Sequence, residues 1–353
     1  MWSRRPPECS NHFTNEQPLT RAVARTWRGK TTPDEMRNDA MNSIDDITPN
    51  QARLRSTPKS RSVHIGDIRV SYVHDGWIQL HPTLWLPNSS TDYWADHPQY
   101  LDDDGYLRAG MGGLLVETPT GTVLIDAGFG PRQMTADPDT PRFGAITGGS
   151  FLDSLTALGV RPAQIDVLAF THLHLDHIGW VSAPDPTTGQ PPFAHARVVM
   201  TAAEWDHGTS DEHGPFEETM KALEPRLELV SDGSEFSPGI TLRSAPGHSA
   251  GHAVYEIASN GQRLIAFGDL FHSPVQIAKP HWPAQPDIDT ERSTQSRHAI
   301  LQRLTQDNTL GFGIHFADVT FGRVVVREHG CAVGSPSLPT RHRARGKGPP
   351  PNK

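Results

Sequence analysis

The chain has 353 residues, 35% of them hydrophobic and 20% charged, with a formal net charge of −8. No apolar run reaches the roughly 18 residues of a membrane span, and Arg4-Arg5 leads into no apolar segment, so neither a spanning helix nor a secretory or twin-arginine signal is expected. Cys9 and Cys331 make no disulfide framework, which points to a reducing, cytoplasmic setting.

The charge is unevenly spread. Residues 1–62 carry 11 Lys/Arg against 7 Asp/Glu, residues 334–353 carry 5 basic groups and no acidic ones, and −17 is left between them. An acidic core is a poor platform for nucleic acid, whose phosphates need basic surface. Residues 1–61 lack periodic apolar positions and are rich in Arg, Asn, Thr and Pro, so they read as a disordered, dispensable extension. Residues 332–353 read as a disordered basic tail. Residues 62–331 suit one large α/β domain.

In chain order, residues 62–73 alternate around Gly66-Asp67 as a β-hairpin does, and His74-Asp75-Gly76 reads as a turn. Residues 80–110 are rich in Pro, Asp, Trp and Tyr without clear period, which suits a long functional loop. A second hairpin spans residues 112–126, and Asp126 is expected to cap backbone groups near its end. A helix follows over residues 150–158, ended by Gly159. Residues 165–170 are a short buried strand, residues 197–200 another, and residues 202–207 a short helix. Residues 208–222 read as a lid or helical insertion. Strands at 227–230 and 240–244 precede a hairpin that turns at Asn260-Gly261. The strongest helix signal covers residues 291–304, and strands at 310–315 and 323–326 close the domain. Strands in hairpin pairs with helices between them predict two sheets with helices outside, an αββα sandwich in a single domain.

Directly after the strand at 165–170 comes Thr171-His172-Leu173-His174-Leu175-Asp176-His177. Residues i and i+2 of extended backbone share a face, so His172 and His174 can reach one ion together. Asp176 and His177 fall where the chain turns towards a helix and suit a neighbouring ion. Imidazole nitrogen and carboxylate oxygen are ligands for zinc and similar divalent metals. Other candidates end strands: His248 in the glycine-rich Pro246-Gly247-His248-Ser249-Ala250-Gly251-His252, Asp269 after Gly268, and His315 after Ile314. His252 is expected to orient a ligand or to pack.

This set of motifs resembles the metallo-β-lactamase-fold hydrolase superfamily over roughly residues 63–328. The segments around 271–280, 289 and 312–316 look most like the branch of quorum-quenching lactonases and methyl parathion hydrolase. The resemblance implies that His172, His174 and His248 bind one metal ion and Asp176, His177 and His315 a second, with Asp269 bridging. It implies two divalent ions per chain, zinc first, with manganese, iron or cobalt as alternatives. It further implies hydrolysis of a small ester, lactone or organophosphate by a metal-bridging hydroxide, with Asp176 as proton shuttle. Glyoxalase II-like thioester hydrolysis and an iron-dependent, persulfide dioxygenase-like oxidation are the alternatives. Trp180, Phe271, His272 and Trp282 are candidates for the substrate wall. The expected partners are a small-molecule substrate and at most a second copy of the chain, with no nucleic acid and no membrane.

Overall fold

Alternation along the strands sets the layers. In the computed structural model, which describes residues 51–210, 213–327 and 330–334, strands assemble into two sheets. The first holds β1 (Ser62–Ile65), β2 (Ile68–Leu80), β3 (Leu107–Thr118), β4 (Gly121–Ile125), β5 (Gln133–Met134), β6 (Phe143–Thr147), β7 (Val167–Ala169), β8 (Arg197–Met200) and β9 (Leu227–Leu229). Their order is β5-β6-β2-β3-β4-β7-β8-β9, with β1 paired to β2. The second holds β10 (Glu235–Ser237), β11 (Ile240–Ser244), β12 (Ala253–Ser259), β13 (Gln262–Ala266), β14 (Thr309–Phe312), β15 (Phe321–Arg327) and β16 (Gly330–Gly334), in sequence order.

Successive side chains of a strand leave opposite faces. Leu114 and Val116, Val123 and Ile125, and Val167 and Ala169 therefore meet Tyr255, Ile257, Leu264 and Ala266 in one apolar core between the sheets. Their neighbours Leu115, Leu124 and Leu168 point outward, under the helices α3 (Phe151–Ala157), α4 (Leu175–Ser182) and α6 (Glu217–Leu223). On the other side Val254 and Ile265 pack beneath α8 (Thr290–Leu304) through Ile300, Leu301 and Leu304. The result is the expected αββα sandwich, completed by α1 (Pro82–Trp85), α2 (Thr91–Asp96), α5 (Ala202–His207) and α7 (Pro274–Ala278). Among the described residues no helix is long and apolar enough to cross a membrane.

Three expectations change. His74-Asp75-Gly76 is not a turn: β2 runs through it to Leu80, with a bulge between His74 and Gly76 in its pairing with β3. Asp75 is buried there because its carboxylate accepts from the backbone N–H of Phe129, Gly130, Gly149 and Phe151 and from Trp180 Nε1. Residues 80–110 are not one loop but α1, α2 and the start of β3. The boundaries at 61 and 331 also move. Gln51–Arg55 forms a 3₁₀ turn whose chain packs on the domain, and β16 continues to Gly334. Residues 1–50 and 335–353 of the expected extension and tail lie outside the described residues.

Candidate metal centre

The motif residues converge where strands of both sheets end. β7 delivers the chain to His172, and His174 precedes α4, whose first turn carries Asp176 and His177. The loop between β11 and β12 brings His248, a 3₁₀ turn after β13 brings Asp269, and the loop after β14 brings His315. Asp269 lies at the middle. Its Oδ1 is 3.1 Å from both His177 Nε2 and His315 Nε2. Its Oδ2 is 3.6 Å from His248 Nε2 and 3.7 Å from His172 Nε2. His248 Nε2 is also 3.1 Å from His174 Nδ1. Asp176 Oδ2 stands 3.7 Å from His177 Nε2 and 3.6 Å from His315 Nε2.

The sets His172/His174/His248, His172/His177/Asp269 and Asp176/His177/His315 each gather their donor atoms closely enough to hold one ion, as does His248/Asp269/His272. A metal fits this geometry on two counts. His172 Nε2, His177 Nε2 and Asp269 Oδ1 are buried without a hydrogen bond, an arrangement that costs free energy unless something else meets those lone pairs. Charge agrees. Burial works against protonation of His177, yet Asp269, Asp176 and Asp126 outweigh it and hold its pKa well above the ordinary value. Burial would raise Asp269, but His177, His315, His172 and His272 hold it well below the usual carboxylate range. The pocket draws positive charge to its carboxylates. His172 and His248 go the other way: burial first, then neighbouring histidines, push the pKa of His172 well down, and burial also lowers that of His248, so their nitrogens keep a lone pair for an ion.

Outer partners turn the rings. His177 Nδ1 bonds Asp126 Oδ2 at 3.0 Å, His248 Nδ1 bonds Asp287 Oδ1 at 3.1 Å, and His315 Nδ1 donates to the Gly110 carbonyl at 2.7 Å. Each leaves Nε2 facing Asp269, the second-layer orientation typical of metal-binding histidines. Asp126 also accepts from Thr171 N and Oγ1, and these bonds hold it at φ 63°, left-handed backbone that is costly for a residue with a Cβ. Glu204, buried, accepts from Leu173 N, Ser249 Oγ and Gly251 N, so it ties the His172–His177 segment to the His248 loop. His252 Nε2 accepts from Asp269 N at 3.1 Å. Burial first, then His248, lowers its pKa to about 3, which keeps that nitrogen unprotonated.

A cavity of about 190 Å³ opens over the cluster. His174, Asp176, His248, Asp269, His272 and His315 form its floor. Ile78, Leu80, Trp85, Met111, Phe129 and Phe143 are among its apolar walls. Of the four substrate-wall candidates, only His272 lines it. Trp180 is turned into the core because its indole N–H bonds Asp75. Phe271 is wholly buried against Phe267. Trp282 packs edge-on to Tyr93 and Trp94, beside the cavity rather than in its wall. The true walls come from β2, β3, β6 and α1, whose apolar residues look in sequence like any strand filling.

Residues 114–310 match the model of the metallo-beta-lactamase superfamily. The chain belongs to that superfamily. A probable metallo-hydrolase of Mycobacterium tuberculosis is 29% identical over 186 residues, covering 45% of this chain and 56% of its own length, so the chain spans about half of that relative. An N-acyl homoserine lactonase of Bacillus cereus is 22% identical over 62% of this chain and 83% of its own. Among solved structures, a dizinc quorum-quenching lactonase in complex with a homoserine product superposes with a TM-score of 0.65 at 22% identity, over 82% of this chain and 100% of its own. At that identity the superposition shows a shared superfamily fold and nothing finer.

Proposed function

We propose that the chain is a hydrolase that holds two divalent metal ions and cleaves a small ester or lactone with an apolar acyl part. The observation that carries the reading is Asp269 at the centre of the imidazoles, with Oδ1 towards His177, Oδ2 towards His172 and His248, and His315 Nε2 3.1 Å from both oxygens. On this reading His172, His174 and His248 would hold one ion and Asp176, His177 and His315 the other, with Asp269 standing between the two sets. When bound, such ions supply Lewis acidity for a substrate oxygen and bring the pKa of a water to about 7.

The chain's own groups do the rest. Asp176, its side chain 26% exposed in the cavity floor with Oδ2 towards His177 and His315, takes a proton from the attacking water at its other carboxylate oxygen and passes it to the departing oxygen. The apolar walls receive the acyl part and exclude water from it. His272, 3.3 Å from Asp269 and in the cavity floor, meets the substrate's polar end. A thioester of glutathione is less well suited, because none of the described residues lining the cavity is Lys or Arg.

The test is elemental analysis of protein purified without added metal, together with lactone, aryl ester, phosphotriester and thioester substrates. Near two zinc or manganese ions per chain with lactone or ester turnover is the expected result. A single iron per chain, oxygen uptake and no hydrolysis would overturn it in favour of an oxidoreductase.

A further inference from the structure

His315 stands on the irregular loop between β14 and β15. Two residues on, Ala317 sits at φ 44°, a left-handed backbone that persists only where its surroundings enforce it. The next residue, Asp318, is gripped by residues 51–61. Arg53 Nε donates to its Oδ2 at 3.0 Å, Arg61 Nη2 donates to the same oxygen, and Lys59 N donates to Oδ1 at 3.1 Å. Arg53 Nη2 also donates to the Asp318 carbonyl, and Asp318 N donates back to the Arg53 carbonyl at 3.1 Å. Most of these bonds are charge-assisted, the stronger kind. The same segment reaches the other support of His315. Pro58 lies so close to Gly110, whose carbonyl accepts from His315 Nδ1, that a Cβ there would stand 2.6 Å from Pro58 Cγ and 2.8 Å from the Ile314 carbonyl.

We propose that residues 51–61 are a strap that positions His315, and that Arg53, Arg61 and Asp318 are positioning residues for the second ion. This rests on the metal reading above. The strap bears on His315 from both sides, on the loop behind it and on the strand that orients its ring. Only Leu54 of this segment reaches the core beneath α8.

The test is a calorimetric titration of the metal-free 353-residue chain with Zn²⁺, comparing wild type with the double variant Arg53→Ala/Arg61→Ala. The first binding step should be unchanged and the second weakened about 10- to 100-fold, the usual effect of losing an outer partner of a metal ligand. The Arg53→Lys/Arg61→Lys pair should recover much of the loss, and Asp318→Asn should repeat it in a chain that keeps both arginines. Two unchanged steps would overturn the proposal. So would equal weakening of both steps with a lower melting point of the metal-free chain, the pattern of a merely structural contact. A wild type that takes up no Zn²⁺ would refute the metal reading itself, and the strap proposal with it.

Discussion

Asp287 supports His248 from behind and is itself held by Arg297 Nη1 at 3.1 Å, Ser293 Oγ at 2.9 Å and Ala284 N at 3.1 Å. Burial would raise its pKa, but the bond to His248 and the charges of His248 and Arg297 lower it from 3.8 to about 2. A carboxylate depressed by folding contributes stability that is complete above its unfolded pKa, near 4, and is lost as the pH falls towards 2. That difference corresponds to about 2 kcal/mol. Acid titration of the metal-free protein, followed by circular dichroism, should show the loss in that window, and Asp287→Asn should remove the pH dependence there. His252 gives a second prediction. His252→Phe keeps a ring but takes the acceptor from Asp269 N, and competition with a chelator should show metal affinity down about 10- to 100-fold. His172, His174, Asp176 and His177 were legible because four donors within six residues leave little to the fold. Asp287 and Glu204 were much harder to place, since each acts through a partner more than 30 residues away in sequence.

Element by element, β2 carries the largest difference between expectation and structure. A His-Asp-Gly triplet has the composition of a turn, and nothing in sequence shows that five N–H groups from 54 to 105 residues away converge on Asp75. Gly76 is required for a related reason: a Cβ there would stand 1.7 Å from the Thr147 carbonyl of β6. Asp75→Ala leaves several buried donors unpaired and should cost roughly 3–5 kcal/mol in urea unfolding, at the upper end for broken buried charged networks. A loss under about 1 kcal/mol would mean that water replaces the carboxylate. The hairpin at Asn260-Gly261 and the helix over residues 290–304 were readable because turn chemistry and apolar spacing are local. Trp180 was misread because its neighbour in space is Asp75.

For the whole molecule, cavity shape separates a lactone or ester with a long apolar arm from a compact polar substrate. Each methylene that enters the wall of Trp85, Phe129 and Phe143 is worth about 0.8 kcal/mol, or roughly a fourfold fall in KM. If the proposed lactone or ester reading holds, a series of lactones of growing acyl length should show that slope until the cavity is full, and Phe143→Ala should flatten it for the longest chains. A series without any slope would place the acyl part outside this cavity.

The proposed ligands are unevenly distributed along the chain, and that order has a consequence for synthesis. On this assignment four of them leave the ribosome together, whereas His315 follows His177 by 138 positions. At about 5–20 residues per second, the nascent chain waits roughly 7–28 s with an incomplete centre. On this assignment the second ion can be installed only after His315 has been made, so a product cut short before it would carry the motif but not the finished centre.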